Sequence, residues 1–260
     1  MSATRMPTPF HLSPLARVAS GDRLCLFLDV DGTLLEIGPT PQSVSVDEPL
    51  RDLLLQVSDA LDRAVALVSG RPLASLDDLF GFTSWPAAGL HGGERRDATG
   101  RVHLCDVDRG RLEPVRDALR RLVAETPGAL LEEKSHGLAL HYRAVPEFEW
   151  RLRRIVRQCA VPLAPEYHVL DGKCVIEIKP AAASKAQAIR AFLREPPFAG
   201  RTPIFIGDDT TDIDAFGYVE EAGGVSVAVG EELPAQLHLA SPREVRVLLG
   251  HLAVGARSLQ

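Results

Sequence analysis

A short apolar run that ends in two acids constrains the fold of this chain more than any other feature. The run Leu24–Leu28 leads directly into Asp29, Val30, Asp31 and Gly32. Such a run predicts a buried strand, and because successive strand residues point to opposite sides, Asp29 and Asp31 can share one side while Val30 packs away. Gly32 permits a sharp turn beside a bound ligand. The segment therefore predicts a strand that presents two carboxylates at its end.

Other structures also use closely spaced acids. An acidic surface turn stays open as an interpretation of this segment. A calcium-binding hand places its glycine sixth and after a helix, whereas Gly32 is fourth from Asp29 and follows a strand-like run. Calcium binding is therefore disfavoured.

A second apolar run, Arg201–Gly207, also breaks into acids, among them Asp208, Asp209 and Asp212. In an open parallel sheet, ligands bind outside the carboxyl ends of the strands where the strand order reverses, so acids from both runs can form one cation site. Hard oxygen ligands of this kind suit Mg²⁺. The two runs together predict a magnesium site.

Two further segments supply groups that can hold an anion. The run Ala64–Val68 leads into Ser69, Gly70 and Arg71 ahead of a helix, where a hydroxyl and unpaired amides bind phosphate readily. A helix cap is an equally open interpretation of Ser69. Lys185 lies near the start of a helix-like stretch, where a lysine is usually a solvated surface charge.

The chain alternates strand-like and helix-like segments, which is typical of a layered α/β domain with a mainly parallel sheet. From about residue 106 the order changes to helix, two strands, helix and two strands, which predicts an inserted lid. We expect a leader in 1–22, a core in 23–106 and 181–260, and a cap in 107–180. The expected elements are helices near 47–60, 73–79, 111–125 and 146–158, and strands near 84–90, 128–134, 137–143, 167–170, 173–179 and 201–207.

Composition excludes several classes of function. The chain has 260 residues, of which 45% are hydrophobic and 25% charged, as in an ordinary globular protein. A net charge of -6 argues against a nucleic-acid surface. No stretch approaches the ~20 apolar residues of a membrane span, and the first residues lack a secretory signal. Four scattered cysteines without metal spacing predict reduced thiols. We expect a cytoplasmic protein that acts alone as a monomer, without nucleic-acid or membrane partners.

Taken in order, these pieces resemble the motifs of the haloacid dehalogenase superfamily of phosphatases: D-x-D-G-T after a strand, Ser-Gly after a second strand, a lysine at a helix start, and G-D-D-x-x-D after a last strand. The resemblance implies a Rossmann-like core with an inserted αββαββ cap, and Mg²⁺-dependent phosphoryl transfer through an aspartyl-phosphate. It implies these roles: Asp29 as nucleophile, Asp31 as acid and base, Ser69 and Lys185 as phosphate ligands, Asp29, Asp208 and the Asp31 backbone carbonyl as magnesium ligands, and Asp209 and Asp212 as supporting acids. As an acid, Asp31 would be neutral when substrate binds, a state that crowding by neighbouring acids would favour.

Alternation in the insert predicts strands with one apolar and one polar face. The polar face is expected to carry Glu132, Lys134, His141, Arg143, Glu177 and Lys179. A plain solvated sheet face is one interpretation of this pattern. The other is a surface that hydrogen-bonds sugar hydroxyls, since mixed acids and bases suit a polyol better than an apolar substrate.

Within the superfamily, segments 88–96, 137–143, 176–180 and 207–216 resemble the trehalose-6-phosphate phosphatases. This resemblance implies release of phosphate from trehalose 6-phosphate, the last step of trehalose biosynthesis. It also implies substrate contacts from Gly70, Arg71, His91 and Gly92 near the phosphosugar, and from the cap residues near the distal glucose. Two alternatives stay open: another sugar-phosphate phosphatase or a phosphomutase, and a catalytically silent module that binds sugar phosphates.

Overall fold

The computed structural model describes residues 23–38, 44–105, 108–134, 136–172 and 174–255. The expected leader, 1–22, lies outside the described residues. The chain divides into two compact units, one within Met1–His103 and Ser184–Gln260 and the other within Leu104–Ala183.

Strands and helices alternate along the first unit. The strands of the described residues in both units are β1 Leu24–Leu28, β2 Val65–Val68, β3 Ala87–Gly89, β4 Glu94–Arg96, β5 Val102–Leu104, β6 Leu130–Lys134, β7 Gly137–His141, β8 Tyr167–Gly172, β9 Val175–Pro180, β10 Thr202–Gly207, β11 Val225–Val229 and β12 Leu237–Leu239. The helices are α1 Glu48–Ala60, α2 Leu73–Phe80, α3 Glu113–Ala124, α4 Glu149–Ala160, α5 Lys185–Phe192, α6 Ile213–Glu221 and α7 Pro242–Gly255.

The central sheet orders its eight described strands β12-β11-β10-β1-β2-β3-β4-β5. From β12 to β3 neighbouring strands are parallel, and β4 runs antiparallel to β3. Both faces of β1 are buried: Leu26 and Leu28 belong to one apolar cluster, and Cys25 and Phe27 to another. Helices α1, α2 and α7 contribute to the first cluster, and α5 and α6 to the second. A sheet covered on both faces explains why the strand reads as a continuous apolar run.

The strand order reverses beside β1. The chain continues from β1 to β2 and β3 on one side, whereas the later strands β10, β11 and β12 lie on the other. In open parallel sheets this switch point leaves a crevice at the carboxyl ends of the strands. The residues that follow β1, β2 and β10 therefore begin at the same edge.

The second unit has its own sheet and core. Its four described strands are antiparallel in the order β6-β7-β9-β8, and its element order is αββαββ. Apolar residues from β7 and β9 pack with α3 and α4 in a separate buried cluster. The Ile176 and Ile178 side chains belong to that cluster, so Val175, Glu177 and Lys179 face the other side of the sheet.

The α/β fold, with a mainly parallel core sheet and a separate antiparallel sheet, is confirmed. Several element boundaries differ from the sequence expectation: β7 ends at His141, so Arg143 lies in the turn beyond it. Pro146–Phe148 forms a 3₁₀ turn before α4 begins at Glu149. Among the described residues, no helix is both long and apolar enough to cross a bilayer.

Candidate functional site

Three aspartates meet at the carboxyl end of β1 and β10. Asp29 follows β1, and its backbone N–H donates to the carbonyl of Ile206 over 2.9 Å, which continues the pairing of the two strands. Asp208 follows β10, and Asp212 comes one turn later. One carboxylate oxygen of each aspartate lies within 4.8 Å of the others. The convergence of the two acidic segments, expected from the sequence, is present.

Lys185 places its ammonium among these acids. Its Nζ is 2.9 Å from Oδ2 of Asp29 and donates to Oδ1 of Asp212 over 2.6 Å. Only 2% of the Lys185 side chain is exposed, so the surface-charge interpretation is wrong. Lys185 is the first residue of α5, and the Ser184 hydroxyl caps the helix by accepting from the amide of Gln187.

The oxygens of Asp212 are already engaged. Oδ1 accepts from Lys185, and Oδ2 accepts from the backbone amides of Asp208 and Asp209, each at 3.0 Å. Asp212 therefore orients the ammonium and fixes the loop that carries Asp208. The carboxylate of Asp209 caps the following turn by accepting from the amide of Thr210 over 2.7 Å, and it is not one of the three clustered acids.

The cluster is electrostatically poised for a cation. Burial raises the pKa of Asp29 well above its usual range; Lys185 opposes this shift, and Asp212 and Asp208 add to it. Burial likewise raises the pKa of Asp208 to about 6, against a hydrogen bond from Thr33. Burial alone would lower the pKa of Lys185, but the two carboxylates beside it raise that pKa above its ordinary value. A bound cation would offset the burial and mutual repulsion that disfavour the ionised acids, and their hard oxygens fit Mg²⁺.

The turn after β1 is shaped around Asp208. The hydroxyl of Thr33 donates to Oδ1 of Asp208 over 3.0 Å. Gly32 has a φ of +80°, and a Cβ on it would lie 1.9 Å from Oδ2 of Asp208. The backbone of this turn therefore approaches the carboxylate as closely as only glycine allows.

Ser69 caps a turn rather than a helix. The Ser69 hydroxyl, which is buried, accepts from the amide of Arg71 over 3.2 Å, whereas the residue that precedes α2 is Pro72. The amide of Leu73, at the start of α2, donates to Oε1 of Glu94 over 2.6 Å. The expectation of unpaired amides at this helix start is therefore wrong for Leu73, because a carboxylate already occupies the position of an anion.

A left-handed turn holds His91 against the Ser69 loop. Leu90 and His91 have φ values of +51° and +54°, and Gly92 follows at +95°. The amide of His91 donates to the Ser69 carbonyl over 2.9 Å, and a Cβ on Gly70 would lie 2.6 Å from the imidazole Nε2. Consecutive non-glycine residues in this region are strained, and such strain concentrates at functional sites.

That turn also reaches the loop before Lys185. A Cβ on Gly92 would lie 2.5 Å from the carbonyl oxygen of Ser184. Gly92 thus lies beside the residue that precedes Lys185, and the neighbouring His91 contacts Ser69 and Gly70.

Asp31 has a different environment from Asp29. Arg71 donates from Nε to Oδ2 of Asp31 over 2.6 Å and from Nη2 to Oδ1 over 2.7 Å. Asp31 is not among the three clustered acids of the described chain. The crowding by acids that the sequence suggested for Asp31 is found instead at Asp29. The Asp31 carboxylate pairs with the guanidinium of Arg71. Val30, between them, lies in the core as expected.

In the second unit, five of the predicted residues share one face of the sheet. Lys134 donates to Oε1 of Glu177 over 2.7 Å, with 18% and 19% of the two side chains exposed, and Nε2 of His141 lies 2.9 Å from Oε2 of Glu132. The register pairs Lys179 with His168 on the same face. Arg143 is exposed in the turn after β7 and is not part of that face.

Two contributors received no role from the sequence: Thr33 donates to Asp208, and the Glu94 carboxylate accepts from the amide of Leu73 at the start of α2. Gly32 was expected to permit a turn beside a ligand, and it also supplies the close approach to Asp208. Thr33 and Gly32 lie inside the first acidic motif, so the hydroxyl that follows the glycine turn could have been predicted to contact the site. No local signal points from Glu94 to Leu73, which lies on another element.

The chain is similar in sequence and in fold to known trehalose-phosphate phosphatases. Residues 27–239 match the sequence profile of a family described as Trehalose-phosphatase. A probable trehalose-phosphate phosphatase of Sinorhizobium fredii (strain NBRC 101917 / NGR234) is 41% identical over 232 residues, which cover 89% of this chain and 87% of that protein. The trehalose-6-phosphate phosphatase of Escherichia coli (strain K12) is 42% identical over 204 residues, which cover 78% of this chain and 76% of that protein. The C-terminal domain of trehalose-6-phosphate phosphatase from C. albicans shares the fold, with a TM-score of 0.78 at 24% identity over 97% of this chain and 99% of that chain.

Proposed function

The chain belongs to the trehalose-phosphatase family, and on that premise we propose that it hydrolyses trehalose 6-phosphate to trehalose and inorganic phosphate. The observation that carries the proposal is the buried ammonium of Lys185 between Asp29 and Asp212. A carboxylate can attack a phosphate ester only where positive charge offsets their repulsion, and this contact supplies it at the nucleophile.

Asp29 is the proposed nucleophile. At ~4 Å and an effective dielectric of ~20, it would repel each charge of a phosphate by about 4 kcal/mol, which Lys185 partly offsets. An Asp29 oxygen would bond to phosphorus as the bond from phosphorus to the sugar oxygen breaks. The sugar oxygen would take a proton from Asp31 as it leaves. Water would then attack the phosphorus, give a proton to Asp31 and release phosphate, which restores the Asp29 carboxylate.

We assign the magnesium ligands to Asp29, Asp208 and the backbone carbonyl of Asp31. The raised pKa values of Asp29 and Asp208 and the oxygen-only donor set support this assignment. Asp212 is left as a supporting acid because its oxygens already accept three hydrogen bonds. When bound, Mg²⁺ supplies positive charge that offsets the repulsion between the carboxylate and the phosphoryl group.

Sugar recognition is assigned to the second unit, Leu104–Ala183, as the cap. Its polar sheet face offers Lys134 and Glu177 as a paired donor and acceptor, with Lys179 and His141 on neighbouring positions. Vicinal hydroxyls both donate and accept, so a mixed pair of this kind suits a sugar. Arg143 would add a donor from the adjoining turn.

A panel of sugar phosphates tests the proposal. We expect Mg²⁺-dependent phosphate release from trehalose 6-phosphate in preference to glucose 6-phosphate and sucrose 6-phosphate, and its loss with a chelator. Asp29→Asn should reduce turnover by about 10⁴-fold or more. The matched variant Asp52→Asn, on the exposed side of α1, should leave turnover unchanged.

Other outcomes would replace the proposal. Preference for a different sugar phosphate would indicate a related phosphatase, and transfer to a second sugar would indicate a phosphomutase. Absence of turnover by the folded protein would leave a silent binding module. In an active preparation, beryllium fluoride should form an adduct on Asp29, and an adduct elsewhere would contradict the assigned nucleophile.

A further inference from the structure

We propose that Arg71 is a positioning residue that holds the Asp31 carboxylate in one orientation for proton transfer to the sugar oxygen and from the attacking water. The inference rests on the proposed function, in which Asp31 is the acid and base. It departs from the sequence expectation, which placed Arg71 only among the substrate contacts.

The contact between the two side chains is bidentate. Nε and Nη2 of Arg71 lie 2.6 and 2.7 Å from the two oxygens of Asp31, so two neighbouring N–H groups meet both oxygens. A fork of this kind fixes the plane of a carboxylate as well as its distance. A single point charge, such as a lysine ammonium, does not fix that plane.

Asp31 needs such a contact because packing does not hold its side chain. Its backbone belongs to a tight turn in which the Val30 carbonyl accepts from the amides of Thr33, Leu34 and Leu35. The Asp31 side chain is nevertheless 40% exposed. Proton transfer requires the donor oxygen within hydrogen-bond reach of the leaving oxygen, and a side chain that rotates in solvent spends little time there.

Arg71 is itself firmly placed. Its side chain is only 10% exposed, its amide donates to the Ser69 hydroxyl, and its carbonyl accepts from the amide of Leu90 over 3.0 Å. A Cβ on Gly89 would lie 2.7 Å from that carbonyl oxygen, so the loop is also confined from the β3 side. The guanidinium therefore offers Asp31 a fixed reference and does not simply follow it.

The bidentate contact leaves room for the proton. Each carboxylate oxygen has two acceptor sites, and Arg71 uses one on each oxygen. The proton that Asp31 gives to the sugar oxygen, and later takes from water, can occupy a remaining site. Arg71 neither gains nor loses a proton in this cycle.

The test is a double-mutant cycle on two substrates that differ in leaving group. Arg71→Lys should lower kcat on trehalose 6-phosphate by roughly 30- to 100-fold, since general acid catalysis typically contributes 10²- to 10⁴-fold. On 4-nitrophenyl phosphate, whose leaving group departs without a proton, the single-turnover rate of nitrophenolate release should stay within about 3-fold, because Asp31 is needed only for the later attack of water. In the Asp31→Asn background, Arg71→Lys should cost less than about 2-fold further, because coupled residues are not additive.

Two controls separate positioning from folding. Arg95→Lys removes another bidentate pair of the same unit, with Glu195, and should not discriminate between the substrates. Arg71→Ala should regain activity on trehalose 6-phosphate with added guanidinium but not with ammonium. Guanidinium rescue keeps the inference testable if the lysine variant folds poorly.

Three results would overturn the inference. Equal loss on both substrates with a raised KM, additive with Asp31→Asn, would make Arg71 a phosphate ligand without a positioning role. A wild-type enzyme that hydrolyses neither ester would remove the proposed function and this inference with it. Normal wild-type hydrolysis without the split would overturn the inference alone.

Discussion

Gly32→Ala tests how closely the turn after β1 approaches Asp208. The added methyl would lie 1.9 Å from Oδ2, 2.4 Å from Cγ and 2.8 Å from Oδ1 of Asp208. Real Cβ atoms do not approach other atoms this closely, so the carboxylate must rotate away. Its hydrogen bond from Thr33, 3.0 Å long, would be lost with that rotation. The substitution therefore moves a proposed magnesium ligand without touching its chemistry.

The energetic cost has two parts. Alanine at a φ of +80° costs about 1 kcal/mol relative to glycine. Loss of a hydrogen bond to a charged group adds about 1.5–3 kcal/mol. Gly81→Ala is the matched control, because Gly81 has a φ of +75° and nothing lies within 4 Å of its Cβ position. The difference between the two variants, about 2 kcal/mol, isolates the displacement of Asp208; it corresponds to about 4–8 °C in Tm for a unit of this size.

The assay is thermal unfolding with and without Mg²⁺, together with a magnesium titration of phosphate release. Gly32→Ala should unfold below Gly81→Ala by that margin and need at least about 10-fold more Mg²⁺ for half-maximal activity. Equal Tm values and equal Mg²⁺ requirements in the two variants would refute the reasoning, since backbone strain alone would then account for both.

Two further predictions concern charge. Without divalent cations, the Tm of the wild type relative to that of Asp208→Asn should be higher at pH 5 than at pH 7. The pKa of Asp208 is raised to about 6, so the native state keeps a proton that the unfolded state has already lost near pH 4. The stabilisation that results falls as the pH rises through 6. An unchanged or reversed difference would contradict it. Glu177→Ala should raise the KM for trehalose 6-phosphate by about 10-fold while leaving 4-nitrophenyl phosphate unaffected, because it removes a charged hydrogen-bonding group assigned to the sugar. Glu133→Ala, on the opposite face of β6, is its control, and equal effects of Glu177→Ala on both substrates would show that the face is misassigned.

The sequence predicted the elements whose burial follows from the pattern of neighbouring residues. A strand covered on both faces must be apolar at every position, and Leu24–Leu28 shows that pattern directly. The elements of the insert were equally predictable, because apolar and polar residues alternate along its strands and its helices are amphipathic. The ends of its strands were harder to predict: nothing within residues 137–143 indicates that pairing with β6 and β9 stops at His141.

The site required contacts that no local pattern encodes. Asp31 and Arg71 are 40 positions apart, and Leu73 and Glu94 are 21 apart. A motif predicts that such groups lie at one sheet edge, but it does not predict which acid receives the guanidinium. That choice follows from the strand order, since Arg71 follows β2 on one side of β1 while Asp208 follows β10 on the other.

The same arrangement explains why Lys185 stands where a lysine is normally unfavourable. The start of a helix carries partial positive charge, and burial adds a desolvation cost, so Lys185 at the first position of α5 is opposed on both counts. Asp29 and Asp212, within 2.9 Å of its ammonium, offset those costs. With all groups ionised, three carboxylates around one ammonium leave two negative charges. A bound divalent cation would neutralise that remainder, whereas a monovalent ion would leave a negative charge facing an incoming phosphate.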